Sequence, residues 1–116
     1  MTTPRVGKPV RGSRSGRPIM VALDLLGRRA ALRVLWELRG AEPLTFRALQ
    51  EAAATNPALL NTRLKELREA GLVEHEGGYC LTPVGRALLQ AMLPLSAWAD
   101  GWAGARRTAS RATQKR

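Results

Sequence analysis

Histidine and cysteine occur once each in these 116 residues, as His75 and Cys80. A lone thiol forbids an intramolecular disulfide and fits a reducing compartment, so a cytoplasmic setting is expected. One His and one Cys cannot supply the four ligands of a metal site within a chain. Nor do they suggest a base and its nucleophile. His75 falls on an expected strand and Cys80 five positions on, so the two need not share a face, and Cys80 has apolar neighbours. His75 is expected as a half-exposed strand residue and Cys80 as a buried structural thiol. No glycine-rich phosphate loop exists, since Gly77-Gly78 reads as a hairpin turn. The composition therefore points away from an enzyme and implies no cofactor and no metal.

Long apolar runs are also missing. The longest, 87–99, is interrupted by Gln90, Pro94 and Ser96 and falls short of the roughly 20 residues that span a bilayer. The first residues are basic without a sustained apolar segment, so no secretory signal is expected, and their Gly and Pro content disfavours a helical transit peptide. Only Phe46, Tyr79, Trp36, Trp98 and Trp102 are aromatic. A single small core built largely of Leu, Val and Ala follows.

What the chain does have is positive charge, net +10, and it is unevenly placed. Residues 1–18 carry Arg5, Lys8, Arg11, Arg14 and Arg17 without an acid. Residues 105–116 carry Arg106, Arg107, Arg111, Lys115 and Arg116, again without an acid. In 19–104 the nine basic and nine acidic residues cancel. The expected organisation is a disordered basic arm at 1–18, a folded domain at 19–104 and a disordered basic tail at 105–116. Such arms attract polyanions, nucleic acid above all; the plainer alternative is that they serve solubility.

Within the folded part the periodicity predicts helices. Met20-Val21-Ala22-Leu23-Asp24-Leu25-Leu26 reads as a short helix ending at a left-handed Gly27. A second helix over 28–39 places Ala31, Leu32, Leu35 and Leu38 on one face and stops at Gly40. Thr45 suits the N-cap of a third, over 46–52. Asn56 suits the next N-cap, with Pro57 at the first helical position, and that helix runs to Ala70 and Gly71. Residues 72–75 and 79–81 flank Glu76-Gly77-Gly78 as a two-stranded hairpin. Thr82-Pro83 then starts a last helix of about 20 residues, which Pro94 should kink or split. Its apolar positions include Leu88, Met92, Leu95, Ala99 and Trp102, at the spacing of one face.

Helix, helix, short helix, turn, helix, hairpin, helix is the order of a winged helix-turn-helix. The fold expected is mainly α, with a three-helix core, a short two-stranded wing, and extra helices at both ends. On the fourth helix Leu60, Leu64 and Leu67 share one face, leaving Ala58, Asn61, Thr62, Lys65 and Glu69 on the other. Short hydrogen-bonding groups and a cation near a helix N-terminus suit a DNA major groove. Arg63 and Arg68 flank that face and suit phosphates. An ordinary amphipathic surface helix would show the same leucine spacing; the hairpin directly after Gly71 favours the DNA reading.

Three segments also resemble the HxlR-type winged-helix regulators: Ala22-Leu23-Asp24-Leu25-Leu26-Gly27; Leu59-Leu60-Asn61-Thr62-Arg63-Leu64-Lys65-Glu66-Leu67 with Ala70-Gly71-Leu72-Val73; and Leu81-Thr82-Pro83-Val84-Gly85-Arg86-Ala87-Leu88. The resemblance implies a homodimeric bacterial repressor or activator on pseudo-palindromic double-stranded DNA. It further implies that the first and last helices form the dimer contact, which here means Leu23, Leu26, Leu88, Met92, Leu95, Trp98 and Trp102. The chain departs from the family in three places. Arg17 precedes Pro18 where many relatives have a cysteine, removing a thiol switch there. The second helix opens with Arg29-Ala30 where a Lys-Trp pair is usual, with a Trp at position 36. The wing is short and offers Glu74, His75 and Glu76, which repel phosphates. Residues 5–17, Arg14 and Arg17 among them, are expected to supply the backbone contacts that such a wing gives up.

The rival reading is a winged-helix protein-interaction module, favoured by the acidic wing and neutral core. RNA binding through the arms lacks an aromatic platform for base stacking. Trp98 and Trp102, one turn apart, suit a core or dimer interface, or else the wall of a small-molecule effector cavity that nothing more specific supports.

Overall fold

The computed structural model describes residues 3–114. In chain order the elements are α1 (Pro18–Leu26), α2 (Ala31–Glu37), α3 (Phe46–Ala53), α4 (Pro57–Glu69), β1 (Val73–His75), β2 (Tyr79–Leu81) and α5 (Pro83–Gln114). This is a mainly α winged helix-turn-helix. Two compact units share the chain, Met1–Arg86 and Ala87–Arg116.

The first unit holds α1 to α4, the wing and the first turn of α5. Its core is the expected Leu, Val and Ala: Val34, Leu35, Leu49 and Leu60 are wholly buried, with Leu64 and Leu67 beside them. Both anticipated caps are present. The Thr45 side chain accepts from the Ala48 N–H at 3.1 Å, and Asn56 Oδ1 accepts from the Leu59 N–H at 2.8 Å, with Pro57 opening α4. Each satisfies an N–H that the first helical turn leaves without a partner.

Between α1 and α2 the chain departs from expectation. Gly27 caps α1 in the right-handed region, and the left-handed residue is Ala30, at φ 68°. Arg28 and Arg29 form the turn, so α2 begins at Ala31. Its buried face is Ala31, Val34, Leu35 and Leu38, while Leu32 is exposed. Trp36 is exposed too, with the Arg39 guanidinium 4.2 Å above its ring.

The wing is an antiparallel pair with Val73 opposite Leu81 and His75 opposite Tyr79. Leu44 joins it through an isolated bridge, exchanging hydrogen bonds of 3.0 and 2.7 Å with Tyr79. A Cβ at Gly78 would stand 2.8 Å from Pro43 Cβ, which is why glycine occupies that close crossing. Leu44 carries no strand signature of its own. Only the fold brings it to β2.

Residues 3–17, the described part of the expected arm, form a hydrogen-bonded loop in the first unit. Its neck closes where the Gly7 N–H donates to Gly16 O at 2.9 Å, and Val10 and Ser13 exchange two hydrogen bonds at its tip. The Thr3 hydroxyl donates to the Glu69 carboxylate on α4, and Thr3 and Pro4 are buried. Gly7, Gly12 and Gly16 all have positive φ. The glycines and prolines that suggested disorder punctuate tight turns instead.

The second unit is the remainder of α5. The helix is 32 residues long and Pro94 lies inside it without dividing it. Proline removes one N–H, and both Pro94 and Gln90, whose carbonyl it leaves without a helical donor, are exposed to solvent. Residues 105–114, which fall in the stretch expected as a tail, continue the helix. Ala and Arg are strong helix formers, and no Gly or Pro follows Gly104 to stop them. Lys115 and Arg116 lie outside the described residues.

Candidate nucleic-acid interface

Helix α4 is amphipathic in the sense that matters for docking. Leu60, Leu64 and Leu67 are at most 2% exposed, and Ala58, Asn61, Thr62, Lys65 and Arg68 on the same helix are exposed. A three-residue turn, Ala54 to Asn56, sets α4 after α3; Ala54 takes the left-handed conformation at φ 51° that ends α3. The Thr62 hydroxyl donates back to Ala58 O at 3.1 Å, which commits its proton and leaves its lone pairs and methyl.

Arg63 does not join this face. Its side chain is 12% exposed; Nε donates to Arg29 O at 2.8 Å and Nη1 donates to Glu66. Glu66, 4% exposed, also takes Arg28, whose other nitrogen stands 3.7 Å from Asp24. The guanidinium expected at a phosphate is thus engaged within the protein. A buried carboxylate held by two guanidiniums pins α4 to the α1–α2 turn. Sequence reading passed over Glu66 because its spacing from Arg63 looks like any surface i,i+3 pair.

Lys65 and Arg68 line a shallow groove of about 450 Å³ with Glu69, Val73, Glu74 and His75. Glu74, His75 and Glu76 are exposed, so the wing presents acid beside those cations. The His75 ring stacks on Tyr79 at 3.9 Å, nearly parallel, and is more open than expected. Cys80 is half-buried, where full burial was expected, and its thiol donates to Glu74 at 3.4 Å. Desolvation first, then that hydrogen bond, pushes the thiol above its ordinary pKa. Such a thiol is a poor nucleophile near neutral pH.

On the ordered N-terminal loop Arg5, Lys8, Arg11, Arg14 and Arg17 are all exposed. Arg5 and Lys8 border a hollow of about 510 Å³ with Asp24 and Arg28. Among the residues expected at a dimer contact, Leu23, Leu95, Trp98 and Trp102 are more than half exposed. Leu26, Leu88 and Met92 are half-buried. Trp98 and Trp102 stack on each other, centroids 5.7 Å apart. Among the described residues no helix is long and apolar enough to cross a membrane.

The helix-turn-helix domain family matches residues 26–76. No curated protein matches the chain. Among solved structures, quinone-bound YodB from B. subtilis is 31% identical, with a TM-score of 0.68, over 72% of this chain and 97% of that one. A possible HxlR family transcriptional factor from Thermoplasma volcanium is 25% identical, with a TM-score of 0.62, over 70% and 80%. A MarR family protein of Mycobacterium tuberculosis is 29% identical, with a TM-score of 0.61, over 81% and 78%. Fold and family are those of DNA-binding transcriptional regulators and not of enzymes. The chain belongs to the HxlR-type winged helix-turn-helix regulators.

Proposed function

We propose that the protein acts in the cytoplasm as a homodimer that reads a pseudo-palindromic operator, inserting α4 of each copy into successive major grooves. Asn61, Thr62 and Lys65 meet base edges, Ala58 lies against them, and Arg68 takes a phosphate. Arg14 and Arg17, on the loop tethered to Glu69, take backbone phosphates beside the groove. The observation that carries this reading is the split of α4 into a buried leucine stripe and an exposed polar stripe. Pairing of two copies is supported by large apolar side chains left open on α1 and on α5, Leu23 on one and Leu95, Trp98 and Trp102 on the other.

The test is titration into mixed-sequence and selected duplexes at two salt concentrations, with Asn61→Ala and Lys65→Ala beside the native chain. Steeply salt-dependent binding that loses sequence preference in Asn61→Ala supports the proposal. The exposed acids of the wing favour a second reading, a protein-interaction module. Absence of duplex binding even at low salt selects it.

A further inference from the structure

Arginine is the side chain that most often reads guanine, through two parallel bonds to O6 and N7. Helix α4 carries two that flank its reading face: Arg68, which is exposed and takes a phosphate in the reading above, and Arg63, which is held back. Nε of Arg63 is spent on Arg29 O at 2.8 Å, and its guanidinium binds a carboxylate that is itself 4% exposed. Freeing it would leave that carboxylate short of one partner in a nearly dry site, which strongly opposes release.

We propose that Glu66 is a specificity-determining residue. By holding Arg63 against the α1–α2 turn it withdraws the guanine reader from α4, and the half-site is A·T at the positions facing Ala58, Asn61 and Thr62. The proposal rests on the DNA-binding reading above. Asn61, exposed and without a partner among the described residues, suits the N6 and N7 edge of adenine. Thr62 has given its proton to Ala58 O, so it meets a base through a lone pair or its methyl. Its methyl and that of Ala58 suit the C5-methyl of thymine. With Arg68 at the edge of that face on a phosphate, Lys65 is the cation left to meet a base, and a single guanine contact belongs at the end of the A·T block.

Selection from randomised duplexes, followed by affinity measured against salt, tests this with Arg63→Met, Glu66→Gln and the double variant. Arg63→Met is expected to keep both the selected sequence and the salt slope of the native chain. Glu66→Gln weakens the hold on Arg63. It is expected either to gain a guanine preference or to steepen the log–log salt slope by about 0.9, the signature of one more phosphate contact. Adding Arg63→Met should abolish that gain. A changed sequence preference or a shallower slope in Arg63→Met overturns the proposal, as does a folded Glu66→Gln identical to the native chain, or a native half-site rich in guanine. Should Glu66→Gln fail to fold, the Arg63→Met result and the native half-site decide alone. Native protein that binds no duplex overturns the DNA reading itself. Native binding with an altered Arg63→Met preference overturns only the present proposal.

Discussion

Glu66 of α4 takes the guanidinium of Arg28, 38 residues earlier in the chain, and both side chains are nearly buried. With Arg63 on its other oxygen, this carboxylate ties α4, the helix proposed to read DNA, to the turn between α1 and α2. Removing one member of a buried ion pair leaves the others uncompensated, and such losses are about 3–5 kcal/mol. Glu66→Ala should therefore destabilise the fold by roughly that amount. Urea unfolding followed by Trp fluorescence gives the number; a change under about 1 kcal/mol would place the pair among weak surface bridges.

The ordered N-terminal loop gives a test that separates shape from charge. A Cβ at Gly16 would lie 2.1 Å from Lys8 O, and Gly16 sits at φ 68°, so Gly16→Ala must open the neck of the loop without altering a single charge. If a preformed loop presents Arg14 and Arg17 to phosphates, Gly16→Ala lowers duplex affinity several-fold. Deleting residues 1–17 lowers it further and flattens the log–log salt slope by about 0.9 per lost contact. Equal affinity for Gly16→Ala and the native chain would mean that charge alone acts there.

The parts of this architecture that were legible from residue order are the ones written in local chemistry. Asn56-Pro57 announces the start of α4, the 60, 64, 67 leucine spacing announces its buried side, and Gly77-Gly78 announces the wing turn. Features set by contact between distant segments were not legible. Glu66 is polar on a helix and looks solvated until Arg28 arrives from the α1–α2 turn. Leu44 becomes a bridge residue only because β2 passes beside it. At the far end, α5 runs past the last large apolar residue on intrinsic propensity, which a search for an apolar face overlooks.

Cys80 offers a check on the wing. Its thiol is raised above the ordinary value by desolvation and by the carboxylate of Glu74. A pKa raised in the folded state favours the protonated fold, so this contribution to stability is full below the unfolded thiol pKa. It fades as pH climbs through the folded one. Alkylation at pH 8 should accordingly be slower in the folded protein than in the denatured one. Glu74→Gln, which removes a negative neighbour, should speed it while leaving the denatured rate alone. Equal rates in Glu74→Gln and native protein would show that the carboxylate does not reach the thiol.

Association is where α5 makes its own prediction. Trp98 and Trp102 stack while more than half exposed, an arrangement that leaves two large rings in water on one helix. Burying such rings against a second copy stabilises the pair, since each aromatic side chain can bury 150–250 Å² at about 25 cal/mol per Å². Replacing both with alanine should shift the dimer–monomer equilibrium at least 100-fold toward monomer, read by sedimentation across a concentration series. Duplex affinity should fall with it, because two half-sites are no longer engaged together. Far-ultraviolet circular dichroism controls for loss of helix. A double variant that stays helical and dimeric at the native concentration would assign the exposed rings to something other than the twin subunit.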